Sequence, residues 1–147
     1  MEIKTRQADG KPLTVIIEYP IWDNKTRRLA DKIKALDLTV SGSSEGKVFQ
    51  VHISDIYYAE SVERKTFLYT KDEVYMTDKK LYELEGMLKE AGIIRISKSC
   101  LMNVDMLYSI RQLMNSRLEA TLINGEKLIV ARTYLKGIKN ILKGGAE

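Results

Sequence analysis

The two side chains with the widest chemical repertoire are rare in this chain, which contains one cysteine, Cys100, and one histidine, His52. A single cysteine cannot form an internal disulfide, and one histidine is a poor basis for a transition-metal site, which usually draws on several Cys or His ligands. His52 lies between two apolar residues in a pattern typical of a strand, and Cys100 has no histidine near it in the sequence to activate its thiol. We therefore expect neither residue to have a catalytic or metal-binding role.

The sequence motifs of common catalytic sites are also missing. There is no G-x-x-x-x-G-K-[ST] phosphate loop, no G-x-G-x-x-G, no G-x-S-x-G and no H-x-x-x-H. Residues 44–47 (SEGK) match the S-x-x-K spacing of serine acylases, but the K-T-G and S-D-N motifs that accompany it are absent. Carboxylate pairs such as Glu60 and Glu63 are explained by solvated charge, since no pocket is indicated that would perturb them. We predict that the protein is not an enzyme and has no cofactor or small-molecule substrate.

Length and composition favour one compact domain with a short appendage. The chain has 147 residues, of which 44% are hydrophobic and 30% charged, with 9 Gly and 2 Pro, which argues against disorder. No apolar run approaches the roughly 20 residues of a membrane-spanning helix, and the first ten residues are too polar for a secretory signal, so we expect a cytoplasmic protein. The formal net charge is +4, and residues 93–147 carry 9 basic against 4 acidic side chains, whereas the earlier part is nearly balanced. Such a local basic surplus suits a polyanion contact and equally suits an ordinary basic surface.

Four basic residues fall in the expected connections between strands and helices. Arg64 and Lys65 occupy a polar turn, Lys98 lies between two serines, and Arg132 stands between the last strand and the last helix. Loops held on a rigid β scaffold can reach into a DNA groove, where Lys and Arg contact phosphates and Arg can read guanine. The residue types alone leave a second interpretation open, in which these are solubilising turn residues.

The beginning of the chain predicts a small β-α-β piece. Residues 13–19 (LTVIIEY) are rich in β-branched side chains and precede a proline, which predicts a strand. Apolar residues recur at helical spacing over residues 25–36, behind an Asp-Asn pair that can cap a helix. Residues 41–46 (SGSSEG) are the one Gly/Ser-rich tract in the sequence, and we predict a linker there.

Short strands dominate the prediction from residue 47 onward. Asn124-Gly125 is a strong hairpin signal, because a type I′ turn needs positive φ at both central residues. Apolar spacing predicts two helices, over residues 81–88 with Thr77 or Asp78 as the cap, and over residues 134–142. The predicted fold class is α+β, mainly β, with residues 1–45 as an extension for dimerisation or partner binding and residues 46–147 as the main domain. The predicted strands are residues 47–53, 56–60, 66–70, 73–76, 93–96, 106–110, 118–123 and 127–131.

Four segments in the later part of the chain occur in a recognisable order and spacing. They are residues 56–61 (IYYAES), 94–103 (IRISKSCLMN), 124–126 (NGE) and 128–132 (LIVAR). Together they resemble the LytTR-type DNA-binding domain, the β-rich output module of many bacterial transcription regulators, over roughly residues 47–142. A segment of the R-x-S/H-[KRN]-S-x-x-[VM]-N type, followed by a hairpin and a terminal arginine, is fairly specific to that family.

The resemblance implies both a fold and a set of DNA contacts. The family has elongated antiparallel β-sheets with flanking helices, and its loops enter successive major grooves in place of a recognition helix. By position, Lys98 matches the family's contact after the central helix, and Arg132 matches its contact after the last strand. The third contact lies in the variable loop of residues 62–66. Within that loop the resemblance favours Lys65 as the contact, followed by Arg64 and then Thr66. It also implies contacts from the hydroxyls of Ser97 and Ser99, on either side of Lys98.

Two further residues of the resembling segment are expected to have supporting roles. Asn103 is expected to brace the loop that carries Lys98. Arg95 is expected to pair with a carboxylate such as Glu60 and to hold the sheet together.

The resemblance also implies partners. Double-stranded DNA is the expected ligand, bound at paired direct repeats by a homodimer. About 45 residues precede the match, too few for a receiver domain, so the chain is similar to stand-alone regulators, which tend to be encoded beside a small membrane protein that restrains them. The alternative is a non-nucleic-acid interaction module that acts as the soluble partner of a membrane protein, with its basic loops against an acidic protein or lipid face.

Overall fold

The computed structural model describes residues 1–144, which form three helices and ten strands joined by loops and short 3₁₀ turns. In chain order the elements are α1 (Asn24–Ala35), β1 (Thr39–Ser44), β2 (Lys47–His52), β3 (Tyr58–Val62), β4 (Lys65–Tyr69), β5 (Val74–Thr77), α2 (Leu81–Leu88), β6 (Ile93–Ser97), β7 (Cys100–Asn103), β8 (Leu107–Gln112), β9 (Leu118–Leu122), β10 (Lys127–Val130) and α3 (Leu135–Gly144).

The strands form two antiparallel sheets. The larger sheet has seven strands in the order β2-β1-β5-β4-β3-β7-β6, and the smaller has three in the order β10-β9-β8. Most neighbours in each sheet are joined by short turns, as is usual for antiparallel strands. The predicted class, α+β and mainly β with flanking helices, is confirmed.

Two cores lie on opposite faces of the larger sheet. On one face, Ala59 and Leu101 of the sheet pack with Leu84 and Leu88 of α2, and all four are fully buried. On the other face, a second set of apolar side chains packs against the smaller sheet and α3. That set includes Tyr58, Ile94, Ile96 and Met102 of the larger sheet, Leu118, Ala120, Leu122 and Val130 of the smaller, and Leu135 and Ile138 of α3. Strands β3, β7 and β6, at one side of the larger sheet, are therefore covered on both faces, because successive side chains point to opposite sides.

The predicted helices are present, and their first turns are held in different ways. The Asp23 carboxylate accepts from the backbone N–H of Thr26 at 2.8 Å and caps α1 as expected; this hydrogen bond lowers the pKa of Asp23. α2 begins behind Lys80 instead of Thr77 or Asp78, and the Glu83 carboxylate accepts from the N–H of Lys80 at 3.4 Å. This contact is the glutamate half of a capping box, in which the first-turn carboxylate satisfies the N–H of the residue before the helix.

The predicted strand over residues 13–19 is wrong. These residues carry no strand pairing, and within the described chain no backbone hydrogen bond joins residues 12–22 to another element. Their composition favours extended structure, but a strand needs a partner to satisfy its N–H and C=O groups, and no other strand of the described chain lies against this segment. The proposed β-α-β piece thus lacks its first strand.

The predicted linker over residues 41–46 is also wrong. Residues 39–44 form β1, which pairs along its full length with β2 and, through Ser43 opposite Met76, with β5. A β-carbon on Gly42 would lie 2.7 Å from the Cβ of Tyr75. Glycine is present there because the sheet packs too closely for a side chain, and flexibility is not the reason.

The hairpin at Asn124-Gly125 is confirmed, but its turn differs from the predicted type I′. Gly125 has φ of +88°, whereas Asn124 is not in the positive-φ region. The N–H of Gly125 donates to the carbonyl of Leu122 at 2.9 Å, and the N–H of Leu122 donates to the carbonyl of Glu126 at 2.8 Å. This is the pattern of a three-residue loop that ends in a glycine bulge, a common alternative hairpin.

Candidate nucleic-acid interface

The connections that carry the predicted DNA contacts lie at one end of the larger sheet. β3 and β7 run antiparallel with Glu60 opposite Cys100, so the β3–β4 turn and the β6–β7 turn are neighbours. The N–H of Ser61 donates to the carbonyl of Ser99 at 2.8 Å and ties the two turns together. Arg64 and Lys65 are therefore held beside the turn that contains Lys98.

A second backbone hydrogen bond brings in the third connection. The N–H of Ala131 donates to the carbonyl of Ile96 at 2.8 Å, so the residue before Arg132 is fixed to the strand that leads to Lys98. Arg132 begins a short 3₁₀ turn ahead of α3, and its side chain is exposed. Three connections that are far apart in sequence thus form one surface.

The Lys98 turn is held from behind by Arg95. The Arg95 guanidinium donates to the Lys98 carbonyl at 2.6 Å and twice to the Glu85 carboxylate, at 3.2 and 3.1 Å. The Arg95 side chain is 15% exposed and that of Glu85 is 40% exposed. This arrangement anchors the turn to α2 while the Lys98 side chain stays exposed.

Two supporting roles expected from the sequence are corrected by these contacts. Arg95 does form an ion pair, but with Glu85 and not with Glu60. Asn103 does not brace the Lys98 loop, because its side-chain N–H donates to the carbonyl of Ile56 at 2.8 Å and its carbonyl oxygen accepts from the N–H of Asp105. Both Asn103 partners lie away from the turn, so Arg95 has the role that was expected of Asn103.

The β3–β4 turn has an unusual backbone for its residues. Val62 pairs with Lys65, leaving Glu63 and Arg64 as the two central residues, and their φ angles are +51° and +67°. Positive φ at both central positions is the condition for a type I′ turn, which usually selects Asn-Gly or Gly. The chain places a charged side chain where glycine would fit with less strain.

The three hydroxyl residues of the predicted contact set differ in their exposure. Thr66 is 3% exposed, so its side chain lies inside the protein and is not available to DNA. Ser97 is half-buried, and its hydroxyl oxygen accepts from the N–H of Ser99 at 3.3 Å. Ser99 is exposed at the tip of the turn.

The structure adds two basic residues that the sequence analysis missed, Lys79 and Lys80. Thr66 of β4 pairs with Thr77 of β5, so the residues after β5 lie beside the start of β4. An open cleft of about 450 Å³ is lined by Arg64, Lys65, Lys79 and Lys80, among other residues. The signal in the sequence was a Lys-Lys pair immediately before a helix. We call Arg64, Lys65, Lys79, Lys80, Lys98 and Arg132 together the basic edge.

The cations of the basic edge form no ion pairs with acidic neighbours in the described residues, although Asp78 lines the same cleft. Among the residues that the structure describes, the ion pairs are made by other cations, such as Lys32 with Asp105 at 2.8 Å and Arg111 with Glu119 at 3.2 Å. No member of the basic edge takes part in an ion pair within this described part. A surface of this kind attracts polyanions, because its cations gain partners without breaking internal pairs.

The buried titratable groups beneath this surface are neutral. The pKa of the Cys100 thiol is raised to about 12, mainly by burial and secondly by the nearby Glu60 carboxylate. The reactive thiolate is therefore absent near neutral pH. Tyr58 and Tyr69 stack with ring centroids 4.2 Å apart, and burial raises the pKa of both phenols. Tyr69 donates to the Glu60 carboxylate at 3.3 Å. These groups contribute packing.

Neither a metal-ion cluster nor a membrane-spanning helix occurs among the described residues. Within residues 1–144 there is no cluster of three or more His, Cys, Asp or Glu side chains placed to hold a metal ion. None of the described helices combines the length and the apolar character needed to cross a bilayer.

Comparison with known proteins identifies the domain. The model of the LytTr DNA-binding domain matches residues 46–143. The sensory transduction protein LytT of Bacillus cereus is 31% identical over 117 residues, which are 76% of this chain and 48% of that protein. The uncharacterized HTH-type transcriptional regulator SAB2242 of Staphylococcus aureus is 28% identical over 131 residues, which are 86% of each chain. The chain therefore spans about half the length of the LytT relative but most of the second one.

The fold comparison agrees with the sequence comparison. The LytTr DNA-binding domain of a Bacillus cereus methyl-accepting/DNA response regulator superimposes with a TM-score of 0.68 and 23% sequence identity, covering 72% of this chain and 97% of that domain. The strands and turns that form the basic edge lie within the matched residues 46–143. The chain belongs to the LytTr DNA-binding domain family.

Proposed function

We propose that the protein is a sequence-specific, DNA-binding transcription regulator whose basic edge contacts double-stranded DNA. The observation that carries the proposal is the grouping of three separate basic connections at one end of the sheet by two backbone hydrogen bonds. This grouping lies inside a domain of a DNA-binding family. The relatives named as a sensory transduction protein and a transcriptional regulator are consistent with a role in gene regulation.

The turns on this edge divide into positioning and reading roles. Lys98 sits on a turn fixed by Arg95, and a lysine held in this way suits contact with a phosphate of the DNA backbone. Arg132 begins a turn that is fixed to β6 and has a planar, fork-shaped guanidinium, which suits bidentate recognition of guanine in the major groove. Lys65 and Arg64 lie on a turn beside the Lys98 turn, and the proposal is that these turns engage successive major grooves. Ser99 supplies a further exposed hydroxyl, while the burial of Thr66 removes it from the proposed contacts.

The proposal extends to how many copies of the protein bind and where on the DNA they bind. Two copies bound at paired direct repeats would place their basic edges in successive major grooves, and a contact between the copies would raise the effective concentration of the second. Residues 1–45, which precede the matched domain, are the part proposed for dimerisation or for binding a regulatory membrane protein. The protein would act in the cytoplasm, with no cofactor.

The experiment that tests the proposal is fluorescence-anisotropy titration of labelled DNA from upstream of the protein's own gene, against scrambled DNA of the same composition, across a salt series. Specific regulation predicts at least about a thousandfold preference for the native DNA that persists near physiological salt. Equal and weak binding to both DNAs, lost as salt rises, would contradict the proposal. That outcome would favour the alternative of an interaction module whose basic loops meet an acidic protein or lipid face.

A further inference from the structure

Residues 12–22, which we call the arm, form an apolar segment without a partner. Leu13 is fully exposed, and Ile16 and Ile21 are 74% and 68% exposed. Within the described chain no backbone hydrogen bond ties the arm to another element. An exposed run of apolar, mostly β-branched residues is typical of a surface that binds another molecule.

The arm leaves the protein from a fixed point. α1 follows it directly and is anchored by the Lys32–Asp105 ion pair at 2.8 Å and by a hydrogen bond of 3.2 Å from the Arg28 guanidinium to the carbonyl of Ile141. The arm therefore projects from a rigid base, which limits the conformational freedom it would lose on docking.

An edge that suits the arm lies on the same chain, at β2. β2 is the outermost strand of the larger sheet, and it pairs with β1 in unbroken register from Lys47 to His52. It contains no proline or bulge, and Val48 and Phe49 are 73% and 39% exposed. Natural edge strands are usually protected against further pairing, and here the protection is limited to one charged residue, Lys47, at the start of the strand. By contrast, the edge strand β8 carries a register shift between Leu107 and Ser109.

One antiparallel register pairs most of the apolar residues of the two segments. With Val15 opposite Phe49, Leu13 falls opposite Val51 on the face that leads into the core. On the other face, Ile16 falls opposite Val48 and Thr14 opposite Gln50. A shift of two residues toward the start of β2 would place Ile16 opposite Gly46, and the reverse shift would place Glu18 opposite Val48. This register pairs apolar with apolar residues at three positions and Thr14 with Gln50, and it places Ile17 opposite Lys47 at the first residue of β2.

We propose that the arm of one copy adds to the free edge of β2 in a second copy, as an eighth strand of its sheet. Each copy has one arm and one edge, so two copies can make the exchange reciprocally and close a symmetric dimer. The second copy is the occupant because the edge and its complement occur on the same chain, while the structure leaves the arm off its own edge. The interface runs along the side of β2, whereas the basic edge lies at the strand ends. This arrangement deepens the dimerisation part of the proposed function without depending on DNA binding.

The first test is a disulfide between the paired positions, made without DNA. The variant Ile16→Cys/Val48→Cys changes two exposed residues, and directly opposed positions of a strand pair are close enough for a disulfide. Cys100 is buried and does not interfere. On mild oxidation we expect a covalent dimer on a non-reducing gel. The control Ile16→Cys/His52→Cys displaces one cysteine by four residues, on the order of 13 Å along the strand, and should stay monomeric.

The second test measures association of the intact chain by sedimentation velocity. Ile16→Asp places a charge opposite Val48 and should weaken dimerisation by at least about tenfold. The matched control Ile3→Asp changes another exposed isoleucine of the same N-terminal region, 81% exposed, and should leave dimerisation unchanged. Three results would each overturn the proposal. They are a disulfide that forms within one chain, a control variant that cross-links equally well, and dimerisation that Ile16→Asp leaves unaffected. None of these outcomes depends on whether the protein binds DNA.

Discussion

Replacing Arg64 by glycine should make the fold more stable and its DNA binding weaker. Among the described residues, the β1–β2 and β3–β4 hairpins have turns of the same kind, each with two central residues at positive φ. In the β1–β2 turn these are Glu45 and Gly46, with φ of +50° and +78°, and in the β3–β4 turn they are Glu63 and Arg64, with φ of +51° and +67°. The first turn has glycine at the second position, where the other has arginine.

The size of the effect follows from the backbone. A non-glycine residue in the left-handed region costs roughly 1–2 kcal/mol. Glycine relieves this strain but loses about 0.5–1 kcal/mol through the greater freedom of the unfolded chain. The net gain for Arg64→Gly is therefore about 0.5–1 kcal/mol. The reverse change, Gly46→Arg, should destabilise the fold by a similar amount. For a chain of this size these changes correspond to shifts in Tm of about 1–4 °C.

The assay pairs thermal unfolding with DNA binding. Arg64→Gly should raise Tm, and it should flatten the dependence of DNA affinity on salt by about one phosphate contact, since Arg64 belongs to the basic edge. Gly46→Arg should lower Tm. If Arg64→Gly lowered Tm, or left both Tm and the salt dependence unchanged, the argument that this turn stores strain to present a cation would be refuted.

Three further predictions concern the elements that support the interface. Arg95→Ala should lower the free energy of unfolding by about 1–2 kcal/mol, a value that already allows for the partial exposure of Glu85 to solvent. The same change should loosen the Lys98 turn and so weaken DNA binding. Circular-dichroism melting measures the first effect and fluorescence anisotropy the second. Gly42→Ala should destabilise the fold by roughly 1–3 kcal/mol in denaturant unfolding, because the new methyl group would overlap Tyr75. The Cys100 thiol has its pKa raised by burial, so its contribution to stability should be present below pH 9 and fall as the pH rises toward about 12; Cys100→Ala should remove that part of the alkaline loss.

The part of the fold that the sequence could predict is the part where local pattern and tertiary environment agree. Leu81, Leu84 and Leu88 of α2 recur at helical spacing and face a core, and β9 and β10 flank a turn signal. Residues 13–19 misled the prediction, because β propensity describes a side-chain preference and cannot show whether a partner strand is present. For residues 41–46 the error was the opposite one, a linker predicted where a strand forms. Gly42 is required by close packing against Tyr75, and the segment resembles a flexible linker only in composition.

Some residues of the candidate site could be predicted from the sequence, and others depend on tertiary contacts that the sequence does not show. Lys98 and Arg132 could be selected from the sequence because the segments around them are characteristic of the family. Burial of Thr66 could not be foreseen, since it depends on the neighbouring strand β5. Arg95 pairs with Glu85 through the packing of α2 on the sheet, a contact that no spacing rule indicates. Lys79 and Lys80 join the edge for the same reason, because β5 brings them beside β4.

The central claim is that the basic edge reads DNA, and Arg132 tests it most directly. Lys127 offers a matched control, because it is exposed, carries the same charge, and lies at the opposite end of β10. Arg132→Ala and Lys127→Ala should be compared with the unmodified protein in anisotropy titrations on native and scrambled DNA, with circular dichroism to verify the fold. The account predicts that Arg132→Ala removes the preference for native DNA while Lys127→Ala preserves it. A folded Arg132→Ala variant with unchanged affinity for the native DNA would contradict the account.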